Sequence, residues 1–406
     1  MANSPPAVVT DETIGEPVLS EDAAAEVFIV PRRRSLSTRL VGGIRGGLKL
    51  ARRVLVAVFS FVSLVVLLAV VAAVPVLNLW ALGYLIQAEG NIARTGKFSS
   101  AFPLLGRARQ LGGTLLGIAV IILPLRYLGG FASDMALVDP TSGSTVFLQI
   151  LTTVVAIAAF VHLSAALCVG QGGLRFFRPR RNLRVLYREG RSGEFLEARS
   201  AVVGEFVRDL EIRRNVMLGL LGAAGVLMWT LLPTALYASA NAPQGPQILV
   251  TLLGGVLLAL VCSWAPILQA GYAREEKFSA YRRLSEARLL FRRAPLLWTL
   301  ALLVGYALSL VLYLFKIVAP PQDALWMMTI VFIAAIYPAR IFLGWVCYWS
   351  TTRTKEPHRL WRWLWSLVSL AVCGFYVFLL FFTRNIGAQG KLVLFEQPLL
   401  LIPSPF

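Results

Sequence analysis

Ionisable residues inside apolar runs are the first candidates for chemistry, because a charge in hydrocarbon is costly and usually faces a protein interior. Two arginines sit in one local pattern, Pro124-Leu125-Arg126 and Pro338-Ala339-Arg340. Each proline leaves the carbonyl four residues back, at Val120 or Ala334, without its helical partner. A guanidinium two residues on can satisfy such carbonyls, pair with an acid, or bind an anionic headgroup or solute. Arg340 is the deeper, about 14 Å by helical rise from the nearer end of its span, and its side chain leans the other way, toward the helix amino terminus. Arg340 and Arg126 are therefore the candidate anion- or headgroup-binding residues, with structural pairing as the alternative. His162, mid-span with Ser164 two residues on, is the candidate proton-linked residue, since imidazole titrates near neutrality; its alternative is a hydrogen-bonded packing role. Glu89 reads as a headgroup-level residue rather than an intramembrane carboxylate.

Other constellations are missing. Cys168, Cys262, Cys347 and Cys373 each lie in an apolar run with no CxxC pair and no ligand at metal spacing, so they read as small buried apolar residues. Gly170-Gln171-Gly172-Gly173 ends an apolar run and lacks the strand and lysine of a phosphate-binding loop. Without a catalytic, cofactor-binding or metal-ligating motif, the expectation is a protein that is not an enzyme and carries no cofactor.

The elements holding these residues are apolar. In 406 residues, 57% hydrophobic and 15% charged, there is more apolar surface than a soluble domain could bury. Long apolar runs cover 54–88, 112–132, 145–170, 216–238, 247–272, 296–318, 324–349 and 364–383, and crossing ~30 Å of hydrocarbon takes about 20 helical residues. The first run is too long for one pass, at about 52 Å if straight. Charge decides its use, because cytoplasmic loops collect Lys and Arg. Segments 32–53, 87–111, 171–215, 271–295 and 350–363 hold 34 of the 39 basic residues, and all five fall on one side only if 54–88 makes a hairpin, with its tip near Pro75 and Asn78. The expected architecture is an all-α polytopic transmembrane helical bundle of nine membrane segments, the first two a hairpin, with basic cytoplasmic amphipathic helices.

Around the transmembrane domain 54–383, residues 1–31 are acidic and too poor in apolar surface to fold. Residues 32–53 read as a basic interfacial helix, with Gly42, Gly43, Gly46 and Gly47 weakening it. The cytoplasmic loop 171–215 reads as amphipathic helices on the inner leaflet. Residues 384–406 are expected outside, resting on the outer face or in the interface. The rows Gly113, Gly117 and Gly219, Gly222, Gly225 imply close helix packing.

A weak repeat pairs the segments. Pro75 is followed by Gly83-Tyr84 and Lys97-Phe98-Ser99-Ser100, and Pro266 by Gly271-Tyr272 and Lys277-Phe278-Ser279-Ala280. The stretch Phe278 to Pro295 resembles the helix preceding a span in uncharacterised bacterial multi-pass proteins and in the membrane domains attached to some glycerophosphodiester phosphodiesterases. No soluble phosphodiesterase domain is present, so the resemblance transfers no activity to this chain. Arginine makes up 33 of the 39 basic residues, which suggests a GC-rich bacterial source and hence the inner membrane, amino terminus in and carboxyl terminus out. The expected role is a non-catalytic structural or accessory protein contacting anionic inner-leaflet lipid or another membrane protein. The alternative is a transporter or lipid-handling protein holding an anion through Arg340 and Arg126. Basic clusters between spans argue against nucleic acid.

Overall fold

A computed structural model of the chain describes residues 36–169, 177–192, 200, 204–239, 245–317, 325–383 and 390–401. Eleven helices of ten or more residues are described: α1 (Leu36–Ala72), α2 (Leu77–Thr95), α3 (Leu105–Val138), α4 (Gly143–Val169), α5 (Pro179–Ser192), α6 (Ile212–Ala238), α7 (Pro246–Glu275), α8 (Leu284–Arg293), α9 (Pro295–Ile317), α10 (Leu325–Thr352) and α11 (Arg359–Thr383). No strand occurs among the described residues. This is an all-α, multi-pass membrane bundle. Eight helices, α1, α3, α4, α6, α7, α9, α10 and α11, are long and apolar enough to span a bilayer. The expected count of nine is not confirmed, because Gln87, Glu89, Asn91 and Arg94 leave α2 too polar to qualify.

The chain divides into two units, Met1–Val54 and Leu55–Phe406. Residues 36–53 of the basic segment are helical, the glycines included. Residues 1–35, and with them the acidic tail, lie outside the described residues.

The hairpin turn falls at residues 73–76, around Pro75, while Asn78 is already in the first turn of α2. Val76 sits there at φ 72°, a left-handed conformation that crowds a β-branched side chain. Leu64, Val65, Leu68, Ala69 and Ala72 of α1 pack on Trp80, Ala81, Tyr84, Leu85 and Ala88 of α2. Buried from Trp80 to Gly90, α2 is the axis of the bundle, in contact with α6, α7 and α10.

Glycines make those contacts close. A Cβ on Gly83 would lie 1.7 Å from the Asn215 carbonyl oxygen, one on Gly219 2.0 Å from that of Leu79, one on Gly90 2.0 Å from that of Ala273, and one on Gly344 2.4 Å from that of Glu89. Helix backbones therefore touch where side chains would hold them apart. The outer pair α3 and α4 pack on each other, and their span faces are mostly exposed.

The sequence repeat is also a structural one. Gly96 and Glu276 end α2 and α7 in left-handed caps, with N–H groups bonded to Ile92 O (2.8 Å) and Tyr272 O (2.7 Å). Extended Lys97 and Lys277 follow, each leading into a 3-10 turn, Phe98–Ala101 and Phe278–Arg282. The copies then diverge. After the first, α3 runs on as one helix; after the second, Ala294 and Pro295 break the chain into amphipathic α8 and spanning α9.

Residues 390–401 pack closely against the spans. Val393, Leu394, Leu399, Leu400 and Leu401 are buried in the bundle, with Leu399 against Gly305. Three spans hold the segment: Tyr313 of α9 donates to Glu396 O, Gln269 of α7 to Leu400 O (2.9 Å), and Tyr376 of α11 to Gln397 Oε1 (2.7 Å). Irregular backbone is tolerated at membrane depth where protein supplies its hydrogen bonds.

Candidate functional site

Arg340 of α10 and Glu89 of α2 form an ion pair, Nη1 to Oε2 at 2.9 Å, with both side chains fully buried. The local sequence explains how they meet. Gly344 lies one turn after Arg340 and lets α10 reach the α2 backbone at Glu89, so the guanidinium arrives beside the carboxylate. Arg340 pairs with an acid, one of the readings open to it, and its hydrogen bond goes to Glu89 rather than to the carbonyl freed by Pro338.

Glu89, expected at headgroup level, is fully buried within the bundle. The arm carrying it is the bundle's axis rather than a peripheral segment, so a lone carboxylate and a lone deep arginine on neighbouring helices neutralise each other. The pair leaves Glu89 Oε1 and Arg340 Nε and Nη2 buried without a hydrogen-bond partner.

Around this pair the polar groups are mostly engaged. Tyr84 and Tyr337 meet hydroxyl to hydroxyl at 3.2 Å, and Tyr337 donates to Ala101 O at 2.8 Å. The Tyr281 hydroxyl donates to Gly222 O at 3.0 Å, and burial holds that phenol well above its ordinary range. At the basic ends of the helices, Glu276 bridges Arg94 (3.3 Å) and Arg214 (2.7 Å), while Gln87 donates to Glu211 at 2.9 Å. These contacts gather the ends of α2, α6 and α7 at one pole.

The other candidates are elsewhere. Arg126 is exposed on α3 and His162 half-buried on α4, and among the described residues neither joins the Arg340–Glu89 pair. Cys262, Cys347 and Cys373 are buried thiols, and no cluster able to hold a metal occurs among the described residues. Of the expected amphipathic helices in 171–215, α5 is one, with Arg180, Arg181, Arg184, Arg188 and Arg191 along it; residues 193–199 and 201–203 lie outside the described residues.

The described cavities lie away from the pair. An apolar groove of about 410 Å³ runs along α7 and α11 beside Tyr237, Thr251 and Phe378. A polar cleft of about 460 Å³ opens between the end of α8 and the α10–α11 linker. Compared with known proteins, the chain matches no family model, no curated protein and no solved structure.

Proposed function

We propose that this is a non-catalytic structural or accessory protein of a bacterial inner membrane, whose basic pole faces the cytoplasm and contacts anionic lipid or a membrane partner. The observation that carries this reading is the Arg340–Glu89 pair, the buried charges among the described residues, spent on each other at zero exposure and flanked by backbone-to-backbone helix contacts. Charges used to lock α2 against α10 are not offered to a passing solute. The excess of arginine between spans gives the orientation and the attraction to an anionic leaflet.

A second reading, an anion transporter or lipid-handling protein, is favoured by the three unpartnered atoms of the same pair. The test is reconstitution in vesicles of phosphatidylglycerol and phosphatidylcholine, comparing wild type with a Glu89→Leu/Arg340→Met double variant. On the structural reading both proteins leave the vesicles equally tight to chloride and phosphate, and both are more stable in anionic lipid. Protein-dependent anion flux that the double variant abolishes while remaining folded would overturn it.

A further inference from the structure

The cleft at the basic pole is charged in a way its neighbours do not balance. It is lined by Arg293 at the end of α8, Thr352 at the end of α10, and Arg353, Thr354, Lys355 and Glu356 of the linker to α11. Its one carboxylate is already engaged: Glu356 pairs with Arg292 at 3.1 Å and also with Arg362. Arg293, Arg353 and Lys355 have no acidic partner among the described residues. Arg353 instead lies 6.0 Å over the Trp349 ring.

Placement specifies what such a cleft would take. It lies where α9, α10 and α11 all end, beside exposed Trp349, Trp361 and Trp363, the residues that mark a membrane–water boundary. Two apolar tracks begin next to it. Leu296, Leu300 and Leu303 on α9, and Leu360, Leu364 and Leu367 on α11, recur at i, i+4, i+7 and are all exposed. A cleft of about 460 Å³ matches a small-molecule headgroup, and the leucine tracks match hydrocarbon chains.

We propose that this cleft binds the phosphate of an anionic diacyl phospholipid, with Arg293, Arg353 and Lys355 as the cationic ligands and the two leucine tracks carrying the acyl chains. The assignment rests on the lipid-contacting reading above and names the place where it operates. Each cation near an anionic surface contributes about a five-fold preference, so removing three costs about a hundred-fold.

The test is native mass spectrometry of the detergent-solubilised full chain incubated with phosphatidylglycerol, phosphatidylcholine or inorganic phosphate. Wild type is expected to retain one phosphatidylglycerol in preference to phosphatidylcholine. A triple variant, Arg293→Gln/Arg353→Gln/Lys355→Gln, is expected to lose that preference about a hundred-fold. A control that removes two charges away from the cleft, Arg282→Gln/Arg288→Gln, is expected to keep it. A triple variant that binds like wild type, or a control that loses as much, overturns the cleft while leaving the general affinity for anionic lipid standing. Equal retention of both lipids by wild type sinks the lipid-contacting reading itself. Displacement of phosphatidylglycerol by millimolar phosphate would assign the cleft to free phosphate instead.

Discussion

Breaking the Arg340–Glu89 pair from one side should cost far more than removing it whole. Both side chains are fully buried at 2.9 Å, so Glu89→Gln leaves a guanidinium in the core that cannot give up its proton. Losing one partner of a buried pair costs about 3–5 kcal/mol, about a fifth or more of the roughly 5–15 kcal/mol that holds a typical domain together. Arg340→Met should cost less, because the stranded carboxyl can shed its charge by taking up a proton. The Glu89→Leu/Arg340→Met double variant, with two apolar side chains of similar length, should return to within about 1 kcal/mol of wild type or exceed it. The assay is reversible unfolding in sodium dodecyl sulfate followed by circular dichroism, run as a double-mutant cycle of wild type, Glu89→Leu, Arg340→Met and the double variant, with Glu89→Gln measured beside it. A coupling of about 3 kcal/mol or more is expected. A double variant as unstable as Glu89→Gln, or a single-variant cost below about 1 kcal/mol, would refute the claim that the pair is a packed structural lock.

Gly83→Ala and Gly90→Ala should each destabilise by about 3 kcal/mol in the same assay, since their Cβ atoms would fall on the Asn215 and Ala273 carbonyls and force helices apart. Gly374→Ala, with nothing within 4 Å, should be neutral or stabilise by up to about 1 kcal/mol. Tyr313→Phe removes the hydrogen bond to the half-buried Glu396 carbonyl and should cost about 0.5–1.5 kcal/mol, read as earlier proteolysis within 390–401. The Tyr281 phenol is raised in the folded state, so its contribution is full below about pH 10 and is lost as pH rises beyond that value. Tyr281→Phe should therefore show a shallower alkaline loss of thermal stability than wild type. Val76→Gly relieves a left-handed β-branched residue and should raise stability by about 1 kcal/mol in thermal melts.

Spans and the hairpin were legible because both rest on long-range regularities, apolar run length and the placement of arginine, that local context does not disturb. The Lys-Phe-Ser repeat was legible because a left-handed cap followed by a 3-10 turn is specified within a dozen residues. Glu89 was misread for the opposite reason. Its environment is set by Arg340, some 250 positions away, and by Gly344, which admits α10 to the α2 backbone. Hydropathy also penalised α2 for the polar residues that make it the hub, since Gln87 and Arg94 find partners on α6 and α7. Pairing of Arg340 was among the options read from its sequence; which option held depended on a partner that periodicity does not reveal.

The buried segment 390–401 also imposes an order on assembly. It is synthesised after every span that receives it, so α7, α9 and α11 enter the bilayer with Gln269, Tyr313 and Tyr376 awaiting partners made later. Those contacts therefore cannot form until residues 390–401 have been made, so the last stretch of chain completes the packing of helices that precede it.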